Sequence, residues 1–84
     1  MFSERFQLTI QVTRHAAQRM VERNMDEAML LDLLETGAVK YKDDVRLWIF
    51  KSYEDRNDNL LCAAVILETA LIVKTVMHHF DPEA

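Results

Sequence analysis

The chain has 84 residues, half of them hydrophobic, and a formal net charge of -4. It is too apolar for an intrinsically disordered chain, too short for a second domain, and without the positive excess by which most proteins grip nucleic-acid phosphates. A domain of this size buries only about 60–65% of its unfolded surface, so a single domain over residues 1–84, with its core within about residues 6–80, is expected.

The charge is nonetheless segregated. Residues 1–25 hold four Arg against two Glu, whereas residues 26–36 hold four acids and no base. The single cysteine, Cys62, excludes an intrachain disulfide and fits a reducing compartment. The opening "MFSERFQLTI" lacks the basic and apolar regions of a signal peptide. No apolar run approaches the roughly 18–20 residues needed to cross a bilayer. A soluble cytoplasmic protein with no membrane contact is expected.

In chain order, "FQLTIQV" (residues 6–12) alternates Leu8, Ile10 and Val12 with polar residues, the period of a half-buried strand. Thr13 offers an N-cap hydroxyl to a helix from about Arg14 to Arg23. Asn24, which tolerates left-handed backbone, ends it. Asp26 caps a second helix over about Glu27 to Thr36, with Met25 and Leu30 at the spacing of a hydrophobic staple and Asp26 and Glu27 at the positive end of its dipole. Gly37, the only glycine, falls at the C-cap.

Beyond Gly37 the pattern turns to strands: "AVKYK", "VRLWIFKSY" (residues 45–53), "NLLCAAVILE", which is apolar on both faces, and "LIVKTVMHH". "EDRNDN" and "TA" are the connections between them. Helices followed by a meander read as α+β: two N-terminal helices packed on one face of a three- or four-stranded antiparallel sheet.

Three groups of residues invite a chemical reading. His15, Arg19 and Arg23 recur every four residues, so they drift only about 40° per step around a helix and form one stripe. The stripe flanks the apolar side made by Ala16 and Met20. It is either a solvated edge, with Arg19 bonded to Glu22 or Glu27 or to the sheet, or an oxyanion site, since Arg forks match phosphate and carboxylate bidentately. His78 and His79 are adjacent on a strand and must point to opposite faces. Simple alternation puts Lys74, Val76 and His78 on one face and Val73, Thr75, Met77 and His79 on the other. Trp48 and Phe50 share a face, as core or dimer interface or as a platform for base stacking, with Arg46 and Lys51 as basic neighbours. Cys62, in "LLCAAVIL", reads as a buried inert thiol. No spacing of His, Cys or acids fits a metal site, so neither metal nor cofactor is expected.

"HAAQRMVERNMDEAMLLDLLETG" resembles the opening of a group of small bacterial domains of unassigned function. Their signature runs His-x3-Arg-Met-x2-Arg-Gly-Ile, followed by an acid-capped helix ending in Gly. Here it is carried by His15, Arg19, Met20, Arg23, Asn24 and Met25, with Asn24 in the Gly position. The closing "LIVKTVMHH" is similar to that group's last strand, with Thr75 matching its Thr, and the resemblance covers about residues 13–79. The group is similar to toxins of the RelE, ParE and BrnT type. That likeness implies a helix pair followed by an antiparallel sheet, a metal-independent ribonuclease activity, RNA as substrate and an antitoxin covering the cleft. It implies His15, Arg19, Arg23 and His78 as catalytic residues and Arg46 and Lys74 as substrate-binding residues. Such toxins are generally basic, and this chain is not. The other reading is a non-catalytic module on the same fold that uses the open sheet for protein contacts or homodimerisation.

Overall fold

The computed structural model of the chain describes residues 1–53 and 60–78, apart from the side chains of Leu60 and His78. His79 and the turn "EDRNDN" lie outside the described residues. The fold is α+β, with elements β1 (Phe2–Ser3), β2 (Leu8–Val12), α1 (Arg14–Glu22), α2 (Glu27–Thr36), β3 (Ala38–Tyr41), β4 (Arg46–Ser52), β5 (Leu60–Leu67) and β6 (Leu71–His78).

The sheet differs from expectation. It has six strands in the order β1-β2-β6-β5-β4-β3 and is mixed, where three or four antiparallel strands were expected. The meander β3 to β6 is antiparallel throughout. The difference lies at the N-terminus. β2 is a parallel neighbour of β6, pairing Ile10 with Leu71, Gln11 with Ile72 and Val12 with Val73. A parallel partner is reached by a long crossover and leaves no turn signal in the sequence. β1 adds a two-residue edge paired with Ser3 opposite Leu8. Its turn is closed by Gln7 at φ 57°, whose side-chain amide donates to the Glu4 carbonyl at 2.6 Å.

Both helices begin as their sequences dictate. The Thr13 hydroxyl accepts from the Ala16 N–H at 3.0 Å, and the Asp26 carboxylate accepts from the Met29 N–H at 2.8 Å. α1 ends at Asn24, at φ 55°. The Asn24 N–H donates to the Val21 carbonyl and the Met25 N–H to the Met20 carbonyl, the paired closure of a Schellman motif. Met20 and Met25, the residues such a motif brings together, are both buried.

α2 ends differently. Gly37 is its C-cap, but with φ -72° and ψ 160° it is not left-handed. Its role is space. A Cβ there would stand 2.6 Å from the Leu33 carbonyl oxygen and 2.8 Å from Ile49 Cγ2. The free carbonyls at this helix end are met from a distance: Arg5 Nη1 donates to Leu34 O at 3.1 Å and to Gly37 O at 2.7 Å. Glu35 completes the latch by accepting from Ser3 Oγ at 2.7 Å and from the Glu4 N–H at 2.7 Å. Burial works to raise the Glu35 pKa, but the donors from Ser3, Arg5 and Glu4, with the Arg5 charge, outweigh it and hold the carboxyl below its ordinary range.

One core joins the layers. Leu47 and Ile49 of β4, Leu61 and Val65 of β5, and Leu71, Val73 and Val76 of β6 are buried with Ala16 and Met20 of α1 and Leu30, Leu33 and Leu34 of α2. Met25 and Leu30, the expected staple pair, belong to the same cluster. α1 lies against β6, and α2 against β4 and β5. Truncating any one of the buried leucines to Ala costs about 2–5 kcal/mol. β5 is buried on both sides at Leu61, Cys62 and Ala63, whereas Ala64 and Ile66 are half-buried.

β6 carries a bulge that breaks simple alternation. Ala64 pairs with Thr75 and Val65 with Val73, so Lys74 is an extra residue without a cross-strand partner. Val73 and Val76 are therefore both in the core, and Lys74 is exposed. The expectation that Lys74 and Val76 share a face is thereby corrected.

Candidate functional site

Strand alternation divides β4. Leu47 and Ile49 enter the core, and Trp48 and Phe50, half-buried, stand on the other side. Neither aromatic residue belongs to the core cluster. On Trp48's side a cavity of about 270 Å³ opens, with Trp48, Ala64 and Ile66 among its lining and Lys42, Arg46 and Lys74 as its charged members.

Each cation arrives there for a local reason. Lys42 follows β3, and its N–H donates to the Arg46 carbonyl at 2.8 Å, which draws the two ends of the β3–β4 connection together. Arg46 opens β4. Lys74 is the bulge residue, and a bulge re-aims a side chain that regular alternation would place elsewhere.

Arg46 is already engaged. Asp43 accepts from Arg46 Nε at 2.7 Å, from Arg46 Nη2 at 2.6 Å, and from the N–H groups of Arg46 and Val45 at 2.8 and 3.1 Å. The Arg46 guanidinium, then the two backbone donors, lower the Asp43 pKa to about 2. The pair is exposed, so solvent screens its contribution to stability.

The stripe on α1 is a separate group. His15 is exposed on the first turn, Arg19 is half-buried, and Arg23 is the half-buried C-cap. Arg19 Nη1 bonds Glu22 Oε1 at 3.0 Å, with both side chains about two-fifths exposed, as a solvated helix edge would have it. None of the three lines the cavity. One link joins the groups: the Thr13 N–H donates to the Val73 carbonyl, and its hydroxyl donates to the Lys74 carbonyl at 3.2 Å. The start of α1 is thus fastened to the bulge, two residues before His15. His78 stands across from Leu61 in register, and its side chain is outside the described residues.

Lys51 is not a companion of Trp48. It lies on the opposite side of β4 and donates to Asp32 Oδ2 at 2.8 Å and to Thr36 Oγ1 at 2.7 Å, while Tyr53 Oη donates to the same Asp32 oxygen at 2.7 Å. The Lys51 hydrogen bond, then that of Tyr53, lowers the Asp32 pKa. This cluster pins α2 to β4. Cys62 is fully buried, and burial pushes its thiol up to about 12, which fits an inert core residue. Among the described residues, no three His, Cys, Asp or Glu side chains gather as a metal site, and no helix is long and apolar enough to cross a membrane.

Reading from sequence missed Lys42 and its meeting with Lys74. The two are 32 positions apart, and the bulge that joins them has no signal in "LIVKTVMHH".

Residues 12–78 match a family described as "Domain of unknown function (DUF4258)", and the chain belongs to that family. No curated protein and no solved structure matches the chain.

Proposed function

We propose, taking membership of this family of unknown function as the premise, that the chain is a relative of the RelE- and BrnT-type toxins that binds and cleaves RNA on the open side of its sheet. The observation that carries the reading is the cavity that Lys42, Arg46 and Lys74 line together with Trp48. Three cations and an aromatic ring in one cavity suit a single-stranded nucleic acid, with phosphate on the cations and a base against the indole. In this reading both helices stand on one face of the sheet and leave the other to RNA. His15, Arg19, Arg23 and His78 supply the chemistry: a base takes the proton of the RNA 2′-hydroxyl, an acid protonates the leaving 5′-oxygen, and arginine steadies the phosphate charge. The fastening of Thr13 to the bulge supports the nearness of the two groups. A cognate antitoxin would cover the cavity.

The test is induced expression and RNA cleavage by wild type, by Arg46→Ala with Lys74→Ala, and by Arg19→Ala with Arg23→Ala. Wild type is expected to slow growth and cut RNA, and both double variants to lose the effect. A wild type that neither binds nor cuts RNA ends the reading. The second reading, a non-catalytic module that uses the open sheet for protein contacts, draws on the net charge of -4. It gains if RNA stays intact while a protein is captured in a Trp48-dependent way.

A further inference from the structure

The basic stripe occupies one flank of α1, and the other flank is apolar. From the buried direction of Ala16 and Met20, His15 and Arg19 stand about 80–120° round one way, and Ala17 and Val21 about the same angle round the other. Val21 is 81% exposed, the most open of the large hydrophobic residues described. Val21 is on the wall of a groove of about 370 Å³ that Met1, Val12, Ala17, Met25, Asp26 and Glu27 also line. A protruding valine and an apolar groove thus occur in one patch.

We propose that this flank pairs with a second copy of the chain, α1 against α1 in antiparallel array, independently of any action on RNA. The argument is charge complementarity about a two-fold axis. Such an interface requires the patch to match itself, so that residue i meets j while j meets i. Arg14 is exposed near the same angle as Val21 and about 10 Å before it along the helix. The acids Asp26 and Glu27 line the groove with Val21 and Met25, past the end of α1, whereas Arg14 stands at its first residue. A two-fold axis crossing the flank between these two ends therefore sets Arg14 of one copy toward Asp26 and Glu27 of the other, at both ends at once, while each Val21 meets the groove opposite. A parallel pairing would instead oppose Arg14 to Arg14. The dimer is expected to depend on concentration and to be weakened by salt, because its specificity comes from exposed charges.

The experiment is sedimentation equilibrium of the full chain across the micromolar range. Wild type is expected to move from monomer to dimer. Val21→Glu is expected to weaken association about tenfold or more, with the helical circular dichroism of wild type because its site is exposed. Arg14→Glu should weaken it by several-fold, and Arg14→Glu combined with Glu27→Arg should restore it. A wild type that stays monomeric throughout overturns the proposal, whatever other protein the flank then holds. So does a dimer that neither Val21→Glu nor Arg14→Glu weakens.

Discussion

Two sets of cations face solvent in this molecule, and they are built in opposite ways. His15, Arg19 and Arg23 are neighbours in sequence and lie along one helix, spread over two turns, with Arg19 held by Glu22. Lys42 and Arg46 stand at the two ends of one turn, Lys74 comes from a strand 28 residues further on, and the three line a single cavity. Regular spacing gave the first set its visibility, and it disperses charge along an edge. The second set has no regular spacing, and it gathers charge in a cavity that Trp48 also lines. For holding a phosphate, convergence matters more than periodicity, because each added donor acts on the same oxygens.

If the first set performs chemistry and the second holds substrate, variants separate the two. The largest expected effect is that of Arg19→Ala with Arg23→Ala: kcat for RNA cleavage falls about 10²–10³-fold, with KM nearly unchanged. A rise in KM with kcat intact would reverse the assignment. Lys74→Glu should instead weaken single-stranded RNA binding about tenfold, read by fluorescence anisotropy, and flatten its salt dependence by about one charge. Affinity that is indifferent to Lys74 would remove the cavity from the account.

Asp43→Asn is expected to act in the other direction. Asn keeps an oxygen for the Val45 and Arg46 N–H groups but gives up the charge that occupies the guanidinium. RNA binding should tighten by a few-fold, and unchanged affinity would mean that Arg46 does not reach the ligand. Because the Asp43 pKa is depressed to about 2, this competition should not vary between pH 5 and 8.

The smallest effect concerns acid. Asp32 and Glu35 are held below their ordinary values, so the stability they add is complete above those values, near 3.8 and 4.5, and is lost as pH falls below them. Glu35→Gln should remove part of this acid sensitivity, seen as faster amide exchange around Ser3 and Arg5 on the acid side in wild type only.

Much of the chain was legible because its signals are local. Thr13, Asn24 and Asp26 mark helix ends through contacts within five residues, and all three act as their chemistry predicts. The strands of the meander follow from β-branched and aromatic runs. Illegible were the features that depend on distant partners. Gly37 sits where a helix should end, yet it is required by the nearness of Leu33 O and Ile49 Cγ2 and not by its own torsions. The carbonyls there are met by Arg5, some thirty residues earlier, which nothing in "SERF" announces. Lys74 was read by plain alternation, and one bulge moved it relative to Val76. The charged site follows the same rule: Lys42 and Arg46 meet across one turn, whereas Lys74 reaches them only through the pairing of β5 and β6 and its bulge.

The parallel pairing of β2 with β6 also sets an order of assembly. Ile10 cannot find its neighbour Leu71 until the 60 residues between them have left the ribosome. Until then the helices and an open-edged meander must wait beside an unpaired strand. Such long-range closure slows folding and leaves an edge exposed to other chains meanwhile. The pairing that completes the sheet thus comes after both helices and the meander have been made, and it brings the start of α1 to the bulge in the same motion.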